Sequence, residues 1–306
     1  MSAPAEAPSP SPGPRLVLAP ADDGALLAVE VHDPQPPAEG PGTGVAVDAP
    51  LVVLVHGFPM ARWMWAGVLP RLAAAGWRAA APDLRGFGES TLGGADFRAA
   101  PSIDRYADDL AHVLDALAAD RAVIGGLSIG GYAALAFWRR HAGRARALVL
   151  ANTRADPDTP EARERRDTLV ALAHSTGGAA VADTQVEGAL GRSTREGAPE
   201  RVADFRARLG EPVPEAAAAA LLAMRDRPDA TALLAGVTVP TLVVGGEEDV
   251  VTPPKTLRAL AGAIPEARLA LLDRAGHASA WEQPDAFARA LLEFLAALPA
   301  QAASGR

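Results

Sequence analysis

Six short runs of small and β-branched apolar residues, at 51–55, 77–81, 122–125, 147–151, 241–245 and 268–272, constrain this chain more than any other feature, because helical patterns lie between most of them. A strand that is apolar at nearly every position has both faces covered, as in a parallel sheet sandwiched by helices. Parallel neighbours also need a crossover of helical length, and such crossovers are right-handed. The alternation predicts an α/β fold: a mostly parallel twisted sheet with helices on both faces and ligands at the carboxyl ends of the strands. Helices are expected at 65–75, at 129–141, 253–261 and 284–297, and over a run capped by Ser102 in which Ile103, Ala107, Leu110, Val113, Leu114 and Leu117 recur at helical spacing. Ahead of the first buried run, 15–19 and 24–32 read as an antiparallel hairpin around Asp22, Asp23 and Gly24 at the edge of the sheet.

From Thr153 to Leu234 the rhythm changes. This stretch is rich in Ala, Arg and Glu, has helix-like segments at 160–174, 178–190, 199–209 and 214–225, and carries no strand pattern. It predicts a helical lid, residues 153–236, inserted between the two parts of one core domain, 15–152 and 237–298. The Pro- and Gly-rich residues 34–50 read as a loop, residues 1–14 as a disordered tail and 299–306 as a second tail.

Chemistry-bearing residues fall where the apolar runs end. Gly126-Leu127-Ser128-Ile129-Gly130 follows one run and opens a helical pattern, the context in which a Gly-x-Ser-x-Gly pattern presents its serine on a strained turn. Gly126 and Gly130 suit the close passage of strand and helix there, and the helix N-terminus favours negative charge beside Ser128. His56-Gly57-Phe58-Pro59 follows another run, Asp83 to Ser90 a third, Glu247-Glu248-Asp249 a fourth, and Gly276-His277 lies beyond the last. A serine hydroxyl is a weak nucleophile unless a base takes its proton. His277 is suited to that role, with Asp249 to hold its tautomer. Glu247, Glu248, Asp273 and a position near Asn152 are alternative sources of the carboxylate. His56 is expected to brace its loop, Asp83 and Arg85 to tie down their turn by local hydrogen bonds, and Trp63 and Trp65 to be core or pocket wall.

The chain order Ser128, Asp249, His277, with the segments His56 to Pro59, Asp83 to Ser90, Gly126 to Gly131, Val239 to Asp249 and Gly276 to Ser279, resembles the α/β-hydrolase family over residues 15–297, and within it the 3-oxoadipate enol-lactonase and carboxylesterase-like branch. The resemblance implies a serine hydrolase that cleaves a carboxylic ester or lactone through an acyl-enzyme on Ser128, with the backbone N–H groups of Phe58 and Ile129 as oxyanion hole and with no cofactor or metal. The family usually has Met where Ile129 stands, but the chemistry uses the backbone N–H. A carbon–carbon bond hydrolase or thioesterase with the same triad, or a ligand-binding relative without catalysis, are the alternatives.

Composition removes other classes. A net charge of −8 without a Lys/Arg stripe speaks against nucleic acid as a partner, and the absence of cysteine removes thiolate nucleophiles and thiolate metal sites. No apolar window approaches the length of a membrane span, the run 216–223 being far too short, and the first residues lack a signal-peptide pattern. The expectation is a cytoplasmic protein acting on a small-molecule substrate, with neither membrane nor nucleic acid as partner; its oligomeric state is not legible.

Overall fold

The computed structural model describes residues 13–34, 49–210 and 212–299, so most of the two expected tails and of the expected loop at 34–50 lies outside the described residues. Among these residues eight strands, β1 (Arg15–Pro20), β2 (Leu26–His32), β3 (Leu51–Val55), β4 (Arg78–Pro82), β5 (Ala122–Leu127), β6 (Ala145–Ala151), β7 (Thr241–Gly246) and β8 (Arg268–Leu272), form one sheet in the order β1-β2-β4-β3-β5-β6-β7-β8. The hairpin β1–β2 is antiparallel and joins β4 antiparallel, while β4, β3, β5, β6, β7 and β8 run parallel to their neighbours. This is the mostly parallel sheet that the apolar runs predict.

The first part of the chain carries α1 (Leu69–Ala74), α2 (Ala95–Ala99), α3 (Ile103–Ala116) and α4 (Ile129–His141). Between β6 and β7 lie α5 (Pro160–Thr176), α6 (Gly178–Ala189), α7 (Arg192–Gly197), α8 (Pro199–Leu209), α9 (Pro214–Arg225) and α10 (Thr231–Leu234), and after β7 come α11 (Pro254–Ala263), α12 (Ser279–Glu282) and α13 (Pro284–Ala296). Ser102 caps α3 as expected, its Oγ accepting from the Arg105 N–H at 3.2 Å. The helix expected at 65–75 is shorter. Arg62–Trp65 forms a 3-10 turn and α1 begins only at Leu69. Pro70 is the reason, since without an N–H proline fits the first turn of a helix but not its interior.

Alternate residues of each central strand serve different layers. Val53, Val55, Ile124, Leu148 and Leu150 pack with Leu110, Val113, Phe137 and Leu257 from α3, α4 and α11. Val52, Leu54, Val123, Val149 and Val244 pack with Leu69, Leu72, Phe287 and Leu291 from α1 and α13. Each fully buried side chain of this size contributes about 1.5–3 kcal/mol, so the two layers together fix the register. That register pairs Val55 with Gly126, Leu127 with Ala151, Ala151 with Val244 and Gly246 with Leu272, and aligns the carboxyl ends of five strands along one edge. The residues that follow those ends are therefore neighbours in space. No helix among the described residues is long and apolar enough to cross a membrane.

Candidate active site

Ser128 stands between β5 and α4 with φ 57° and ψ −113°, a conformation that costs a non-glycine residue about 1–3 kcal/mol and persists only where its surroundings over-determine it. They do so here. The Ser128 N–H donates to Ala151 O at 2.9 Å, and Ser128 O accepts from Thr153 Oγ1 and the Gly131 N–H, each at 2.9 Å. A Cβ on Gly126 would lie 2.3 Å from the Gly130 carbonyl carbon, and one on Gly130 would lie 2.4 Å from Val55 O. Both positions must be glycine for α4 to start so close to β3 and β5. Ile129, the first residue of α4, is wholly buried, and its N–H has no intrahelical acceptor.

Across from this turn, Phe58 follows β3 on a loop held by His56. The His56 Nε2 accepts from the Leu84 N–H at 2.9 Å, so the ring proton sits on Nδ1 and donates to Gly57 O at 2.9 Å. Burial pushes the His56 pKa down and keeps the ring neutral in this bracing role. The Phe58 and His56 rings both meet Phe87 edge-on, with centroids 6.0 Å and 5.6 Å apart. Asp83 ties its own turn as expected, accepting from the Glu89 N–H at 3.0 Å, and it also holds the Arg62 N–H at 2.7 Å and the Arg62 guanidinium. Arg85 departs from the expected local role. Its fully buried guanidinium makes a bidentate pair with Asp109 on α3, both contacts 2.6 Å, and a third contact of 2.6 Å to Asp23 in the hairpin turn. Trp65 is wholly buried against Phe287, and Trp63 meets the ring of Phe205 at 5.7 Å.

Asp249 and His277 are in direct contact, Nδ1 to Oδ2 at 2.8 Å, and both are buried. Asp249 Oδ1 accepts from the N–H groups of Val251 at 2.8 Å and Thr252 at 2.9 Å, and Oδ2 also accepts from Thr252 Oγ1 and, at 2.8 Å, from Asn152 Nδ2. Burial alone would raise this carboxyl, but the His277 ring and the hydrogen bonds from His277, Asn152 and Thr252 outweigh it and hold the group at about 2. An ionised carboxylate can only accept. The His277 proton thus sits on Nδ1, and Nε2 is left with its lone pair free. Of the alternative carboxylates, Glu247 and Asp273 are exposed, and Glu248 is taken up by the N–H of Ser193 at 2.7 Å and its hydroxyl at 2.6 Å.

Three consecutive residues at the end of β6 join the two halves. Ala151 and Thr153 hold Ser128, while Asn152, with φ 44°, donates from Nδ2 to Asp249 and, at 3.2 Å, to Gly276 O beside His277. Ser279 Oγ donates in turn to Asn152 Oδ1. No hydrogen bond joins the Ser128 hydroxyl to His277 among the described residues. Asn152 is thus a partner of Asp249 rather than a source of a competing carboxylate. Thr252 was detectable in the sequence only as a hydroxyl three residues after Asp249, the spacing at which an aspartate closes a turn on backbone N–H groups. Glu282 had no signal at all. This side chain is 2% exposed, accepts from the Gly276 N–H at 2.6 Å, and has its pKa raised by burial. Among the described residues no group of three or more His, Asp or Glu side chains is arranged to hold a metal ion.

Comparison with known proteins places this geometry in context. The profile of the alpha/beta hydrolase fold matches residues 50–284. A pimeloyl-[acyl-carrier protein] methyl ester esterase of Neisseria meningitidis is 32% identical over 250 residues, 80% of this chain and 92% of that protein. The structure of a thermophilic esterase from Thermogutta terrifontis, with malate bound, is similar at a TM-score of 0.79 and 35% identity, covering 94% of this chain and 99% of that one. The enol-lactonase of Burkholderia xenovorans is similar at a TM-score of 0.76 and 29% identity, covering 89% and 97%.

Proposed function

The chain belongs to the alpha/beta hydrolase fold family and is a hydrolase, and on that premise we propose that it cleaves a carboxylic ester or lactone through an acyl-enzyme on Ser128. The observation that carries this reading is the buried His277–Asp249 pair, 2.8 Å apart, together with a serine in a strained turn at the same sheet edge. In the proposed reaction Ser128 Oγ attacks the acyl carbon as His277 Nε2 takes its proton, and Asp249 steadies the imidazolium. The developing oxyanion lies between the N–H groups of Phe58 and Ile129, each of the kind whose loss costs about 3 kcal/mol of barrier. Collapse breaks the acyl–oxygen bond, and the departing alkoxide takes the proton from His277. A water deprotonated by His277 then attacks the acyl-enzyme, and the acid leaves as Ser128 regains its hydrogen. The acyl–oxygen bond as target is supported by the relatives' names, and a small-molecule ester is the expected substrate. A methyl ester and an enol-lactone are both acyl–oxygen substrates, and the names of three similar proteins converge on that bond.

Residues 153–236 act in this reading as a lid. All six helices between β6 and β7 belong to this segment, and α9 reaches the turn after β4 so closely that a Cβ on Gly86 would lie 2.3 Å from the Ala216 Cβ. A cleft of about 260 Å³ lies between Pro59, Met60, Trp63 and Phe87 of the core and Leu209 and Val213 of the inserted segment, next to the Phe58 loop but without Ser128 or His277 in its lining. The test is exposure to a fluorophosphonate together with a panel of p-nitrophenyl esters, thioesters, lactones and enol-lactones. A single adduct on Ser128 and turnover of esters or lactones are expected. Binding without labelling or turnover would contradict the reading.

A further inference from the structure

Between α6 and α7 the inserted helical segment comes down onto the loop that carries His277. A Cβ on Gly276 would lie 2.2 Å from the Gly191 N, and one on Gly191 would lie 2.8 Å from the Gly276 N, so the two backbones pass in contact. The Ala278 N–H donates to Ala189 O at 2.7 Å. Within this contact sits Glu282, on the short helix α12, and its two carboxylate oxygens face opposite ways. Oε1 accepts from the Gly276 N–H at 2.6 Å, while Oε2 accepts from the Gly191 N–H at 2.8 Å and from Thr194 Oγ1 at 2.6 Å. The carboxylate has no ion-pair partner among the described residues: the nearby Arg201 guanidinium donates to the backbone carbonyls of Trp281, at 2.9 Å, and Glu282, at 3.2 Å, instead. A buried charge with no cation is costly unless its lone pairs are satisfied, and here three neutral donors supply that.

We propose that Glu282 is a positioning residue for the general base, clamping the Gly276–His277 loop to the Gly191–Thr194 turn of the inserted segment. The inference rests on the serine-hydrolase reading above and extends it. It makes part of the inserted segment a component of the catalytic frame and leaves α8, α9 and their connection as the portion that shapes access. The carboxylate is needed because both of its sides must accept. In Glu282→Gln one side becomes an NH₂ donor. Whichever way the amide turns, a buried backbone N–H, that of Gly276 or that of Gly191, then faces another donor.

The test compares steady-state kinetics and the rate of fluorophosphonate labelling at Ser128 in the wild type, Glu282→Gln and Thr194→Val. Thr194→Val removes one donor to Oε2 and leaves both backbone contacts, so it keeps the question open to measurement if Glu282→Gln fails to fold. The expected result is a kcat lowered about tenfold to a hundredfold in Glu282→Gln, the scale of a base displaced by under an ångström, with a smaller drop in Thr194→Val. KM stays within about threefold, and labelling slows in step with kcat. An altered KM at unchanged kcat in either variant would overturn the proposal, as would unchanged kcat and labelling in a folded Glu282→Gln or, where that variant does not fold, in Thr194→Val. A wild type that takes no label at Ser128 would instead overturn the serine-hydrolase reading, so the two failures are distinct.

Discussion

At the level of single residues, the site is organised around keeping one carboxylate charged in a buried place. Asp249 is held at about 2 because the His277 ring, the Asn152 amide and the Thr252 hydroxyl outweigh its burial. Its folded value lies below its ordinary value of 3.8, so the stability it contributes is fully present above that value and is lost as the pH falls towards 2. Denaturation of wild type and Asp249→Asn across that window should show the stability gap between them narrowing by about 2 kcal/mol, and a gap that is constant with pH would contradict the assignment. At pH 7 the same substitution should reduce kcat by about 10⁴, through loss of the correct tautomer of His277. Mild loss in Asp249→Asn with severe loss in Asp273→Asn would transfer the role. The position of Ser128, Asp249 and His277 beyond the carboxyl ends of β5, β7 and β8 was legible because each follows an apolar run of strand length. Asn152, Thr252 and Glu282 could not be assigned their contacts, since each meets partners brought in by the register of other strands or by the inserted segment.

The individual elements were legible in proportion to their length and periodicity. The bounds of α4, α8 and α9 agree with the apolar pattern of the sequence, whereas α2, α7, α10 and α12 are too short to produce a period. The turn between β5 and α4 has the least tolerance. A methyl group on Gly126 would lie 2.3 Å from the Gly130 carbonyl carbon, which is backbone and cannot swing aside. Gly126→Ala should therefore destabilise the protein by about 3 kcal/mol, read from urea denaturation, and a change under about 0.5 kcal/mol would mean the turn is not this tight. In the proposed reading the inserted helices divide into two functions. Val181, Val186, Leu190, Leu221 and Met224 of the inserted segment are buried within the two packing layers of the core, and Leu169 and Leu172 pack against one of them. Val213, half exposed, lines the cleft beside Pro59 and Met60, while Leu209 both lines it and packs within the second layer. Leu209→Ala and Val213→Ala should shift the ranking of p-nitrophenyl esters by chain length while leaving fluorophosphonate labelling of Ser128 within about threefold, because a pocket wall discriminates by about 1–3 kcal/mol per methylene. Unchanged ranking with uniformly lost labelling would show that this part of the insert is structural.

The whole molecule brings distant stretches of sequence to one sheet edge, and buried polar contacts hold them there. Arg85 joins the turn after β4 to Asp109 of α3 and Asp23 of the hairpin, and removing Asp109 leaves a guanidinium with no exposure paired to Asp23 alone. Asp109→Ala should cost about 3–5 kcal/mol of stability in denaturant titration, whereas a surface pair of this kind would cost under about 1 kcal/mol. This long-range network was not legible, because the sequence showed only an arginine in a glycine-rich turn whose partners were expected nearby. The mostly parallel sheet was legible because the central apolar runs need both faces covered, and the two edge strands β1 and β2 were legible as a hairpin around its Asp-Asp-Gly turn. The central claim is that an acyl group passes through Ser128, and the most direct measurement is ester turnover by purified Ser128→Ala with its fold verified by circular dichroism. The account predicts a kcat lower than wild type by about 10⁴ to 10⁶. Turnover within tenfold of wild type in that variant would contradict it.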